Sequence, residues 1–182
     1  IAKAQGLATH MDGARLLNAC VATGISAREM AAGWDSVWID FTKGLGAPIG
    51  AALAGSHDFI DRVWRWKQRL GGALRQGGIA AAGCLYALDH HVERLADDLA
   101  NARTLARGLG QIDGLDVQQP ETNLVYIGTT GALTPAKLQA ELRKRGVMVS
   151  MLGRRVRACL HLDVTPAMVD EVIALTREIA RA

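Results

Sequence analysis

Two residues in the first quarter of the chain are of types that do chemistry together. Asp12 closes a short apolar run, residues 7–11. Lys43 follows another, residues 36–41, whose alternation places Val37, Ile39 and Phe41 on one face. In α/β sheets ligands bind beyond the carboxyl ends of strands, so an acid and a lysine at two such ends face one site. A lysine amine forms an imine with an aldehyde. A carboxylate keeps a pyridine nitrogen protonated, so that the ring accepts electrons from a carbanion. That pair is what pyridoxal phosphate chemistry needs. The glycine-rich stretch at residues 44–50 lets backbone approach a planar cofactor without Cβ clashes. On spacing alone, a surface lysine before a loop and a turn aspartate after a strand remain alternative readings.

The elements that would position these residues follow from periodicity and caps. Residues 14–23 carry helical spacing and stop at Gly24, and Ser26 with Glu29 makes a capping box for a second helix. Residues 49–54 are small and apolar and read as a buried strand. Ser56 caps a helix that is acidic early, at Asp58 and Asp61, and basic late, at Arg65, Lys67 and Arg69, matching the helix dipole. A long helical stretch is expected over residues 76–109, bent near His90. Short strands then appear at residues 115–118, 123–127, 147–151 and 156–162. Helices open at Thr134-Pro135 and Thr165-Pro166, each with proline in the first turn. Residues 1–92 therefore read as α/β, and residues 93–182 as a smaller α+β domain.

Composition bounds the partners. The chain has 182 residues, 49% hydrophobic and 21% charged, with a formal net charge of +3. That charge is too small to argue for nucleic acid, and no run of about 18 apolar residues suggests a membrane span. Three cysteines, Cys20, Cys84 and Cys159, stand far apart without a CxxC pair, which fits a reducing cytoplasm. The chain begins at Ile1, in what reads as the end of a helix running into a strand. It is expected to be the C-terminal part of a longer protein, inactive and poorly soluble by itself.

The runs His10-Met11-Asp12-Gly13-Ala14-Arg15-Leu16 and Thr42-Lys43-Gly44-Leu45-Gly46-Ala47-Pro48-Ile49-Gly50 resemble the low-specificity L-threonine aldolases. The resemblance continues through Leu70-Gly71-Gly72-Ala73-Leu74-Arg75-Gln76, Glu93-Arg94-Leu95 and Thr122-Asn123-Leu124-Val125. It ends with Arg157-Ala158-Cys159-Leu160-His161-Leu162-Asp163-Val164. It implies a fold-type I pyridoxal 5′-phosphate enzyme of the β-eliminating lyase superfamily. Residues 1–92 would be the later part of the large domain, a mostly parallel sheet with helices, and residues 93–182 the small domain. It implies retro-aldol cleavage of threonine, allo-threonine and related β-hydroxy-α-amino acids to glycine and an aldehyde, in a homodimer or homotetramer. By resemblance Lys43 is the Schiff-base lysine, Asp12 the partner of the pyridine nitrogen, and Arg15 a neighbour of cofactor and substrate. Arg75 reaches the phosphate region, across a subunit interface in some arrangements, and Arg157 holds the substrate carboxylate. A guanidinium fork suits that last role, because it binds a carboxylate through two parallel hydrogen bonds.

The chain also departs from the family. Gln68 stands where a lysine is common, and Leu160 where threonine is common. The strand before Lys43 reads Trp38-Ile39-Asp40-Phe41, bulkier and more acidic than usual. The phosphate-binding loop and the ring-stacking histidine of the family would lie before residue 1. A different lyase of the superfamily, or an inactive truncated chain, are the alternatives.

Other motifs carry less. The glycines at 44, 46 and 50 miss the dinucleotide pattern, since Ile49 occupies its third glycine and Pro48 interrupts it. His90 and His91 are adjacent and so face apart on a helix, which argues against a metal pair. His161 and Asp163 would alternate on a strand, and a structural histidine is the preferred reading. No metal site is expected. Trp34, Trp38, Trp64 and Trp66 read as core or interface packing.

Overall fold

A computed structural model describes residues 1–181. The chain forms two compact units, Ile1–Glu93 and Arg94–Ala182.

In the first unit a 3-10 turn at Lys3–Gln5 precedes strand β1 (His10–Gly13). Helices α1 (Leu16–Thr23) and α2 (Ala27–Ala31) then lead to β2 (Ser36–Asp40), which lies parallel to β1. The capping box at α2 is present: Ser26 Oγ accepts the Glu29 N–H, and the Glu29 carboxylate accepts the Ser26 N–H. Strand β3 (Ala51–Gly55) pairs antiparallel with β2, so the sheet is mixed, in the order β1-β2-β3. Helix α3 (His57–Arg69), capped by Ser56, and helix α4 (Gly78–His90) complete the unit.

Three details differ from the sequence pattern. β1 begins at His10, because pairing with β2 starts where the Thr9 carbonyl accepts the Ser36 N–H at 3.2 Å. Asp12 therefore lies within β1 rather than after it. The reading of residues 49–54 as a buried strand fails, since all five residues of β3 are exposed. β3 is an edge strand, and small apolar residues record extended backbone there, not cover. The stretch 76–109 is two helices rather than one bent helix. α4 ends at His90, and α5 (Leu95–Leu109) begins in the second unit.

The second unit adds β4 (Leu115–Val117), β5 (Leu124–Thr129), α6 (Pro135–Lys144), β6 (Ser150–Leu152), β7 (Arg155–Cys159) and α7 (Pro166–Arg181). Its antiparallel sheet runs β4-β5-β7-β6. Alternation on β5 and β7 buries Val125, Ile127, Val156 and Ala158. These pack with Leu105 and Leu109 of α5, Leu138 and Leu142 of α6, and Val169 and Ile179 of α7. The fully buried Asp98 is neutralised by Arg94 one helical turn earlier. β7 ends at Cys159, so His161 and Asp163 fall in the turn that follows it, not on a strand. Among the described residues no helix is long and apolar enough to cross a membrane.

Candidate active site

Lys43 sits on a loop that is tied down at several points. The Phe41 N–H donates to the Gly50 carbonyl at 3.0 Å, and the Ala47 N–H to the Phe41 carbonyl at 2.8 Å. Phe41, Leu45 and Ala47 are buried. The His91 ring nitrogen Nδ1 meets the Leu45 carbonyl at 2.5 Å, and Cys84 Sγ donates to the Ile49 carbonyl at 3.2 Å. Gly44 has no room for a side chain, because a Cβ there would run into the buried Asn18 amide. The loop is thus packed from α1, from α4 and from the turn after α4.

The backbone so held presents the lysine amine on one face of the sheet. Lys43 Nζ lies 2.8 Å from Asp40 Oδ2 and 5.2 Å from the centroid of the Trp38 ring. Trp38 is the register partner of Asp12 across the parallel pair β1–β2, so these two side chains leave the same face. Asp12 is exposed, and its Oδ1 accepts the Ala14 N–H at 3.1 Å. Its Oδ2 accepts no hydrogen bond among the described residues. One row further along, His10 Nδ1 meets Ser36 Oγ at 2.8 Å. An open groove of about 600 Å³ runs along this face, lined by His10, Ser36, Trp38, Leu53 and Phe59 among others.

Electrostatics at the loop centre on Asp40. Burial pushes its carboxyl up, but hydrogen bonds from Lys43, the Thr42 hydroxyl and the Thr42 N–H outweigh burial and hold it below the ordinary 3.8. Asp35, at the start of β2, is also held low, first by the Thr9 N–H and then by the Thr9 hydroxyl.

The remaining candidates stand elsewhere. Arg15 caps the start of α1 and borders a narrow crevice with Ile39, Asp40 and Gly44. Arg75 is exposed in the turn before α4. Arg157 belongs to the second unit, half-buried on β7, where its Nε donates to Ser150 Oγ at 3.1 Å. Asp12, Lys43 and Arg15 thus gather on the β1–β2 edge of the first unit. The flanks of Gln68 are engaged with tryptophans: Lys67 lies over the Trp64 ring and Arg69 over the Trp66 ring. Leu160 is buried in the core of its unit, its N–H bonded to the Asn123 carbonyl at 2.9 Å.

Sequence reasoning did not single out Asp40, Trp38 and His91 beside the Lys43 loop, or Ser150 beside Arg157 in the second unit. Asp40 had a signal, an acid three residues before the lysine. His91 and Ser150 had none, since His91 acts on a residue 46 positions away and Ser150 meets Arg157 only through the pairing of two strands.

The residues present fit an aldehyde-bearing pyridine cofactor. The Lys43 side chain is 36% exposed, and a carboxylate with a spare oxygen shares its face. Among the described residues no group of three His, Cys, Asp or Glu could hold a metal ion.

The family model for beta-eliminating lyases matches residues 1–132. The low specificity L-threonine aldolase of Escherichia coli K12 is 39% identical over 170 residues, covering 93% of this chain and 50% of that protein. Low-specificity L-threonine aldolase 1 of Arabidopsis thaliana is 36% identical over 179 residues, covering 96% and 50%. The chain thus spans about half the length of the curated relatives it matches. Among solved structures, a putative L-allo-threonine aldolase of Listeria monocytogenes superposes with a TM-score of 0.80 at 24% identity, over 98% of this chain and 54% of that one. A sphingosine-1-phosphate lyase of Burkholderia pseudomallei reaches 0.76 at 16% identity, over 99% and 46%. At such identities the likeness shows the fold alone, the α/β fold of fold-type I pyridoxal phosphate enzymes. With its family model matched over 132 of 182 residues, the chain belongs to the beta-eliminating lyase family.

Proposed function

We propose that this chain carries the lysine-bearing part of a pyridoxal 5′-phosphate enzyme. That enzyme cleaves threonine, allo-threonine and related β-hydroxy-α-amino acids to glycine and an aldehyde. The observation that carries the reading is the Lys43 amine on the sheet face that also presents Asp12. When bound, pyridoxal phosphate supplies an aldehyde for an amine to capture and a ring that draws electrons from Cα.

The chain's own residues do the rest. Lys43 would hold the cofactor through its amine. Asp12, with a spare oxygen, keeps a proton on the pyridine nitrogen. Arg157, its Nε held by Ser150, would grip the substrate carboxylate and orient the substrate. Arg15 serves cofactor and substrate, and Arg75 the phosphate region. The exposed turn that carries Arg75 suits a residue reaching a neighbouring subunit of a homodimer or homotetramer. The proposed compartment is the cytoplasm, on an odd cysteine count without a CxxC pair.

The test uses the protein that carries this chain, loaded with pyridoxal phosphate and given L-threonine or L-allo-threonine. Glycine and acetaldehyde are expected. Borohydride reduction is expected to fix the cofactor on Lys43, and Lys43→Ala to lose both label and turnover. A label on another lysine overturns the assignment. Ammonia and a keto acid in place of glycine would move the chain to another reaction of its family, the alternative that the family match favours.

A further inference from the structure

An acid, Asp40, closes the strand before Lys43, and the geometry gives it a task. We infer that Asp40 is the positioning residue and counter-ion of Lys43. It fixes Nζ in place within an ion pair. The inference rests on the reading of Lys43 as the cofactor lysine, and it deepens that reading.

Asp40 closes β2, and its side chain is only 13% exposed. One carboxylate oxygen, Oδ1, is committed to Thr42: it accepts the Thr42 N–H at 2.7 Å and the Thr42 hydroxyl at 2.6 Å. That leaves Oδ2 aimed at Lys43 Nζ, 2.8 Å away. The Trp38 ring, two residues earlier on the same face of β2, closes the amine in at 5.2 Å. The Lys144–Glu141 pair of α6 is different, for there the lysine is 69% exposed and the acid 26%. At Asp40 the acid is largely buried and oriented before the lysine arrives, so less freedom is lost on pairing. The other charged or titratable groups on the packed elements are Asp12 on β1, Arg15 before α1, and the His91 ring on the Leu45 carbonyl.

The chemical consequence is specific. An amine held in an ion pair against a ring must leave both to attack a carbonyl, so the Asp40 carboxylate slows its reaction with an added acylating reagent. Were an aldehyde-bearing cofactor held by Lys43, the same carboxylate would stand beside the nitrogen that holds it.

The test measures the amine itself and needs no cofactor. The protein is acetylated with limiting reagent at neutral pH, and the rate at Lys43 is read by peptide mass spectrometry against the exposed Lys137 as internal reference. Asp40→Asn is expected to speed labelling of Lys43 by about three- to tenfold, the scale of a partly screened charge pair. Asp40→Glu is expected to stay nearer the parent. Equal Lys43 rates in the parent and in a folded Asp40→Asn protein overturn the inference. Should Asp40→Asn unfold, the parent decides alone. Added salt then accelerates Lys43 relative to Lys137, and a flat response overturns the inference. Borohydride trapping of pyridoxal phosphate on Lys43 is a separate readout. Its failure would sink the proposed cofactor and leave the acetylation result standing.

Discussion

Gly13 is the last residue of β1, next to Asp12, and pairs with Ile39 of β2. A Cβ built on it would collide with the Trp38 carbonyl oxygen and sit 3.4 Å from the Leu16 Cβ. The oxygen is strand backbone, so neither side can yield by turning a rotamer. Gly13→Ala must push β1 from β2 or twist the end of β1, and either moves Asp12. Overpacking of this kind costs about 1–3 kcal/mol. With a urea slope of about 1–3 kcal/mol per molar, the unfolding midpoint is expected to fall by about 1 M. Tryptophan fluorescence reads this well, because Trp34, Trp38, Trp64 and Trp66, all 4 tryptophans, belong to the first unit. Gly78→Ala is the matched control. Gly78 opens α4, and an added Cβ there meets no atom within 4 Å. Helix propensity then leaves the protein unchanged or up to about 1 kcal/mol more stable. If parent and Gly13→Ala share one midpoint, the steric argument is wrong, and with it the claim that close strand approach sets the position of Asp12.

Asp12→Asn is expected to retain part of the cofactor and to lower kcat about ten- to a hundredfold, from the roughly 1.5–3 kcal/mol of a charge-assisted contact. A near-normal kcat would remove Asp12 from its role. Acid sensitivity follows from Asp40 and Asp35, whose folded-state values lie below the ordinary 3.8. As pH falls the unfolded chain takes up the proton first. The stability these groups contribute is therefore complete above 3.8 and drains away as pH drops through the folded-state values. Asp40→Asn is expected to flatten the acid limb of a stability-versus-pH curve read by tryptophan fluorescence. An unchanged limb would show that the Lys43 and Thr42 bonds to Asp40 contribute no stability.

Local signals were legible where the physics is local. The Ser26 and Glu29 box, the Ser56 cap and the Thr134-Pro135 start each depend on a few neighbouring residues, and each is in place. Asp12 was read as following its strand, and it stands inside β1, in register with the Trp38 ring over which Lys43 lies. What was not legible depends on contacts that strand pairing and packing create. β1 starts where Thr9 meets Ser36, 27 residues on, and no pattern in residues 7–13 marks that point. Residues 49–54 are apolar enough for a core, yet β3 has an exposed edge, because composition does not say what lies against a strand. The break after α4 hides in a helical pattern because His91 leaves the helix for a carbonyl 46 residues earlier. Ser150 and Arg157 lie on adjacent antiparallel strands, so their contact appears only with the register.

The two units differ in how much they hide from water, and that difference sets two clocks for amide hydrogen exchange. In the second unit β5 and β7 are interior strands with fully buried side chains on one face, so amides there open only with the whole unit. In the first unit most of the surface is wet, and β3 has one unpaired edge from which exchange begins. Within that faster unit the amides of Phe41 and Ala47 are the exception. They close the loop that carries Lys43, over buried Phe41, Leu45 and Ala47. Their exchange is therefore the slow clock of the first unit, and it times how long the lysine keeps its place.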